Sequence, residues 1–160
     1  GHGLALVRTG SGSPPEPPVQ LAEFTGQLTQ GLDLYPEESS LLPTRPIDAR
    51  ATIELGGQAN PYRWVINGAP FGQNQPLEVV DNDRLLLEVV NTTTRAHPVH
   101  LHGHTFALDN GLRKDTLLVS PSSTTAVHLD ATNPGTWALH CQNEYHTKAG
   151  MMLTMRYKGR

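Results

Sequence analysis

From about residue 49 the chain alternates short β-type runs with turn signals, and this alternation constrains its fold more than any other feature. The runs are ATIEL (51–55), YRWVI (62–66), LLLEVV (85–90), HTFAL (104–108), TLLV (116–119), TTAVHL (124–129), TWALHC (136–141) and MMLTMRY (151–157). Between them stand NG (67–68), DND (81–83), DNG (109–111) and NPG (133–135), combinations that tolerate positive φ or pre-set a bend. Short strands at such spacing predict an all-β sandwich or barrel. No segment carries a sustained helical apolar period and no internal repeat is present; residues 20–42 are expected to hold one short helix at most.

The stretch GSGSPPEPP (10–18) disfavours both helix and strand pairing and reads as a linker, flexible first and extended later. Before it, LALVR (4–8) reads as a short strand of whatever precedes, and the opening GHGLALVRTG has none of the regions of a secretory signal. The expected division is therefore residues 1–22 as the tail of a preceding domain plus linker, and residues 23–160 as one domain with its ordered core from about residue 45. A length of 160 residues with 37% hydrophobic content suits one such core. Twelve basic against fifteen acidic residues, net −3, leave no cationic stripe for nucleic acid. The longest apolar run is broken by Glu88 and falls far short of the ~20 residues of a membrane span.

Six of the eight histidines fall into two clusters: HPVHLHGH supplies His97, His100, His102 and His104, and HCQNEYH supplies His140 and His146. Cys141 is the only cysteine and forms no internal disulfide; a lone cysteine is most often a small buried apolar residue. Here it opens the pattern C-x4-H-x4-M, formed by Cys141, His146 and Met151, between two expected strands. One loop would then present thiolate, imidazole and thioether around a common point. Adding a distant histidine, for which His97 is the best candidate, gives His2Cys with a weak axial Met, the ligand set of blue-copper electron-transfer sites. Zinc is the chemical rival, although structural zinc sites draw on full sets of Cys and His and make no use of a thioether.

HPVHLH (97–102), HCQNEYHTKAGM (140–151) and YRWVINGAPF (62–71) together resemble the C-terminal cupredoxin domain of multicopper oxidases, the family of laccases, copper-resistance oxidases and ascorbate oxidase. The resemblance covers roughly residues 45–160, and residues 1–10 look like the tail of a preceding cupredoxin domain. It implies a cupredoxin-like Greek-key β-sandwich with copper as cofactor. Carried over position by position, it makes His97, Cys141, His146 and Met151 the type 1 copper ligands, His100 a type 2 ligand, and His102 and His140 type 3 ligands. In the family, a single electron from a phenol, an aromatic amine or a metal ion enters at the type 1 copper and passes to a trinuclear cluster that reduces dioxygen. The implied partners are such a donor and the other cupredoxin domains of the parent oxidase, with a homo-oligomer left open. The implied location is periplasmic or extracellular.

The pattern is broken at one position. Where the family has a second type 3 histidine after the cysteine, this chain has Gln142, a neutral and weak donor for copper. The histidine pairs that a first domain contributes are also absent from the chain. The isolated chain is thus expected not to be a competent oxidase, and a blue-copper electron-transfer or copper-binding protein without oxidase activity is the alternative. Among lesser candidates, Met152 is expected in the core and His128 as a hydrogen-bonded residue, while His104 could orient a neighbouring ligand, the less favoured of its two readings. Trp64 and Trp137 are expected as core anchors, and Glu144 and Asp109 as solvated carboxylates that could also meet a cationic or phenolic donor.

Overall fold

Alternation decides which face each strand buries. In the strand Arg84–Asn91, Leu85, Leu87 and Val89 are buried while Glu88 between them is exposed, the period-two pattern of a strand with one face in a core. The structure is a computed structural model that describes residues 10–13 and 34–159. The expected strand at 4–8, most of the expected linker, and residues 20–33 of the stretch that could hold a helix lie outside the described residues. In the described remainder of that stretch there is one 3-10 turn, Glu38–Ser40.

Eleven strands follow: β1 (Ala49–Ala59), β2 (Tyr62–Ile66), β3 (Leu77–Val80), β4 (Arg84–Asn91), β5 (His97–Leu101), β6 (Phe106–Ala107), β7 (Arg113–Lys114), β8 (Thr116–Val119), β9 (Ser123–Asp130), β10 (Thr136–Cys141) and β11 (Met152–Lys158), with a single helix, α1 (Glu144–Lys148), between the last two. One sheet has the order β2-β1-β4-β9-β6-β7 and the other β3-β11-β10-β5-β8. β1 runs parallel to β4 and β3 parallel to β11, while the other pairs are antiparallel. Ile53, Leu87 and Val127 of the first sheet join Val99, Leu139 and Leu153 of the second in one buried cluster. The all-β sandwich expected from the sequence is the fold observed.

All eight expected runs lie on observed strands, although HTFAL shrinks to the two residues of β6. β3, β5 and β7 were not expected. β5 was hidden by Pro98 and its histidines, which read as a ligand loop; in the sheet it alternates, with His97, Val99 and Leu101 buried and Pro98 and His100 only partly so. β10 alternates likewise, with Leu139 and Cys141 buried and His140 partly exposed. Since β5 and β10 are antiparallel neighbours with His100 opposite His140, His97 and Cys141 fall on the core face and His100 and His140 on the outer face.

The segment leading into β1 is fixed by charge. The Arg84 side chain donates to both carboxylate oxygens of Asp130, through Nε to Oδ1 and through NH2 to Oδ2 at 3.0 Å, and also donates to Pro43 O at 3.0 Å. Arg45 donates to the same carboxylate at 3.0 Å, so the segment entering β1 is tied to the β4–β9 pair. The buried guanidinium of Arg84, followed by those charges, holds the Asp130 carboxyl below its ordinary pKa.

Candidate metal centre

Three ligand atoms meet inside the sandwich. His97 Nδ1 and His146 Nδ1 lie 3.1 Å apart, and Cys141 Sγ lies 3.8 Å from the first and 3.7 Å from the second. For metal–nitrogen bonds of about 2.0 Å and a metal–sulfur bond of about 2.3 Å, such separations are close to those a shared ion requires. All three residues are buried. Met151 is fully buried in the same apolar cluster as Cys141. Its N–H donates to His146 O at 3.0 Å, and its carbonyl accepts from Cys141 N–H at 3.2 Å.

Each element of this loop is fixed locally. The side chain of Asn143 caps α1 by accepting from Tyr145 N–H at 3.1 Å, and the helix carries His146 inward. Gly150 then adopts φ +117, and a Cβ there would come within 2.6 Å of both Trp64 O and Pro70 Cβ; the chain can pass between them only as glycine. Trp64 N–H donates to Ala149 O at 3.3 Å and Phe71 N–H to Gly150 O at 3.0 Å. The Trp64 ring lies on His146, centroids 4.2 Å apart, and edge-on to His97 at 5.2 Å.

A polar turn orients His97. Its Nε2 lies 2.8 Å from Thr93 Oγ1, and the same hydroxyl has two acceptor-only oxygens in reach, Asn91 Oδ1 at 2.9 Å and Arg95 O at 3.1 Å. We assign the hydroxyl proton to those oxygens, so that His97 Nε2–H donates to Thr93 and the Nδ1 lone pair faces Cys141. Such an outer partner is the usual device for presenting one imidazole nitrogen to a metal. Burial, followed by the neighbouring His146, lowers the His97 pKa to about 4. His146 is lowered as well, by burial first and then by the charge of Arg95, and burial pushes the Cys141 thiol up. Both imidazoles are thus neutral and ready to ligate near neutral pH, whereas the thiol must give up a proton.

His97 has no exposed surface, but His146 keeps 6%, and its outer edge borders an open cleft of about 610 Å³ lined also by Ala59, Tyr62, Trp64, Arg95 and Asn143. The amide nitrogen of Asn143 stands 3.5 Å from His146 Nε2, too far for a strong hydrogen bond.

The outer face of β5 and β10 carries a second group. His102 Nε2 and His140 Nε2 lie 3.0 Å apart, and the His100 ring is 4.8 Å from that of His102 and 5.6 Å from that of His140. His140 Nδ1 donates to Cys141 O at 2.9 Å and His100 Nδ1 to Asp115 O at 2.9 Å. Both carbonyls only accept, so each histidine keeps its Nε2 lone pair. The His102 pKa is lowered by partial desolvation, then by its two histidine neighbours. Gly103, at φ +70, lets the Trp137 ring pack where a Cβ would come within 2.8 Å. His104 donates from Nδ1 to His102 O at 3.0 Å and accepts the Tyr157 hydroxyl at 2.7 Å.

A family model described as multicopper oxidase matches residues 44–159. The chain belongs to the multicopper oxidase family. It is 39% identical to multicopper oxidase MmcO of Mycobacterium tuberculosis over 96% of this chain and 31% of that protein. It is 33% identical to copper resistance protein A of Escherichia coli over 65% of the chain and 18% of the relative. Among solved structures, McoA multicopper oxidase of Aquifex aeolicus superposes with a TM-score of 0.64 at 26% identity, covering 74% of this chain and 31% of that one. The blue copper oxidase of Nitrosomonas europaea gives 0.62 at 25% identity, over 69% and 44%. This multicopper oxidase chain thus spans about a third or less of the curated relatives it matches, and its sandwich is the cupredoxin fold.

Copper is the family's cofactor, and the inner residues fit it: two neutral imidazoles and one buried thiol, with a thioether-bearing residue bonded to both sides of the loop, form a soft donor set. Of the seven residues singled out by sequence, His97, Cys141 and His146 converge inside, His100, His102 and His140 gather outside, and Met151 is buried at the loop's end. Met152 leaves the core group and sits partly exposed on the outer face, in register with His140, because it alternates with buried Leu153. His128 is half-buried, and its Nδ1 has no hydrogen-bond partner among the described residues, contrary to expectation. Glu144 pairs with Lys148 at 2.8 Å, and Asp109 borders a different cavity with Leu41 and Leu108; neither lines the cleft over His146. Thr93, Trp64 as a ring against both imidazoles, and Arg95 were missed. The polar cluster NTTTR (91–95), one residue before His97, was the available signal, and no role was expected of it.

Proposed function

We propose that this chain is the C-terminal cupredoxin domain of a multicopper oxidase, in which His97, Cys141, His146 and Met151 hold a type 1 copper. The convergence of one thiol and two imidazole nitrogens in the core, within 3.8 Å of one another, carries this reading. When bound, copper supplies a one-electron acceptor that cycles between Cu(II) and Cu(I). The chain's own residues supply the rest. The core excludes water from Cys141 and His97, Thr93 fixes the His97 tautomer, and His146 offers the edge that a reducing substrate in the cleft can reach. Cys141 is bonded through one peptide to His140, so the inner thiol and the outer imidazoles communicate along β10.

On this reading the outer face, His100, His102 and His140, is the chain's share of a trinuclear centre completed by other cupredoxin domains of the parent. Residues 1–22 are the tail of the preceding domain and its linker, and residues 23–160 are the cupredoxin domain. The donor is a phenol, an aromatic amine or a metal ion, and the parent works in the periplasm or outside the cell. The isolated chain does not reduce dioxygen. Among the described residues no helix is long and apolar enough to cross a membrane.

Gln142 favours a second reading, a blue-copper electron-transfer module without oxidase activity. Its side chain is exposed, and its backbone N–H donates to Pro98 O at 2.7 Å. Oxygen consumption by the full-length parent with a phenolic donor separates the two. Consumption that disappears in Cys141→Ser supports the oxidase. A blue protein that consumes no oxygen until Gln142→His is introduced supports the electron carrier, and consumption untouched by Cys141→Ser overturns both.

A further inference from the structure

We infer that the cleft over His146 selects aromatic reductants bearing an anionic group, and that Arg95 is the residue that selects them. This rests on the reading that electrons enter at His146 and adds the chemical class of the donor. One wall of the cleft is aromatic: Tyr62, 52% exposed, meets Trp64 edge-on with centroids 5.9 Å apart. A single-ring phenol can lie against it with its hydroxyl toward the His146 edge. Thr94, Arg95 and Ala96 also line the cleft.

Among the described residues, Arg95 is the only charged one lining this cleft, and no carboxylate lines it. Its backbone is pinned, with N–H donating to Thr93 Oγ1 at 3.2 Å and its carbonyl accepting from Asn91 Nδ2 at 2.7 Å. The turn that orients His97 therefore also places Arg95. The guanidinium itself has no hydrogen-bond or ion-pair partner among the described residues. An exposed, unpaired, fork-shaped cation beside an aromatic wall suits a carboxylate on an aromatic ring. It also opposes metal cations and protonated aromatic amines, so the cleft excludes part of the family's donor range by charge.

The test uses vanillate and methyl vanillate, which share the phenol and differ in the carboxylate. Each donor molecule gives up one electron, one Cu(II) becomes Cu(I), and the phenolic proton passes to water in the open cleft. In the copper-loaded full-length protein under anaerobic conditions, the ratio of their bleaching rates for the blue absorption is compared between wild type and Arg95→Gln. Taking the ratio cancels the difference in intrinsic potential. It should fall about fivefold in Arg95→Gln, the scale of an exposed ion pair, and fall likewise in wild type at high salt. An unaltered ratio overturns the inference.

A second readout needs no electron transfer. Anisate and its neutral amide are titrated into the full-length protein while the indole N–H resonance of Trp64 is followed. The resonance should move with anisate at lower concentration than with the amide, and this preference should vanish in Arg95→Gln. Equal responses to both ligands overturn charge selection alone. No response to either overturns the cleft as a donor site, and with it the entry of electrons at His146.

Discussion

Thr93 decides which nitrogen of His97 faces the core, because the contact at 2.8 Å engages Nε2 and leaves Nδ1 toward Cys141. Thr93→Val should therefore lower copper affinity about ten- to a hundredfold, the usual cost of losing such an outer partner, while Thr93→Ser keeps it; titration against a competing chelator measures both. The same site predicts a pH dependence. His97 titrates at about 4 and is already neutral at higher pH, whereas the Cys141 thiol, raised by burial, is protonated until copper displaces its proton. Apparent affinity should rise about tenfold per pH unit between about pH 5 and 8. An affinity independent of pH in that range would contradict thiolate ligation. The proposed ligand residues were legible because Cys, His and Met at fixed short spacings are rare together. Trp64 was not, because its contacts with His97 and His146 join distant segments; Thr93 and Arg95 were not, because polar residues of a short turn do not by themselves show which ring they orient or which cleft they border.

Strand alternation separates the two histidine groups, since adjacent residues His140 and Cys141 of β10 face opposite sides of one sheet. The ligand loop between β10 and β11 is held from outside by the β2 strand and the Pro70–Phe71 turn, and Gly150 is the point of closest approach. Gly150→Ala would force a Cβ onto Trp64 O and Pro70 in a backbone region that alanine disfavours. We expect a loss of about 2–4 kcal/mol of stability together with weakened copper binding, read by thermal melting and by the blue absorption; a variant with unchanged melting would show that the loop can shift freely. The long apolar strands β4 and β9 were plain in the sequence. β5 was not, since Pro98 and polar histidines mask a strand whose other face is buried, and α1, only five residues long, has no room for a helical period.

Across the whole domain, the Arg84–Asp130 pair ties the central β4–β9 strands to the segment before β1. Asp130 is held below its ordinary pKa by Arg84, so its contribution to stability is complete above about pH 4 and is lost as pH falls through the lowered value. Asp130→Asn should cost about 3 kcal/mol at neutral pH by leaving the buried Arg84 without its counter-charge, and should flatten the acid limb of the stability curve; denaturant melts at several pH values report both. The sandwich was readable from strand and turn spacing alone. The parallel pairings β1–β4 and β3–β11 were not, because they join segments that no local pattern relates. The central claim is that one thiolate and two imidazoles in this core bind a single copper. Electron paramagnetic resonance of the protein titrated with Cu(II), in wild type and Cys141→Ser, tests it most directly. The account predicts one copper per chain with the narrow hyperfine splitting of thiolate ligation, absent in Cys141→Ser; copper of ordinary splitting only, or a narrow signal that survives the substitution, would contradict it.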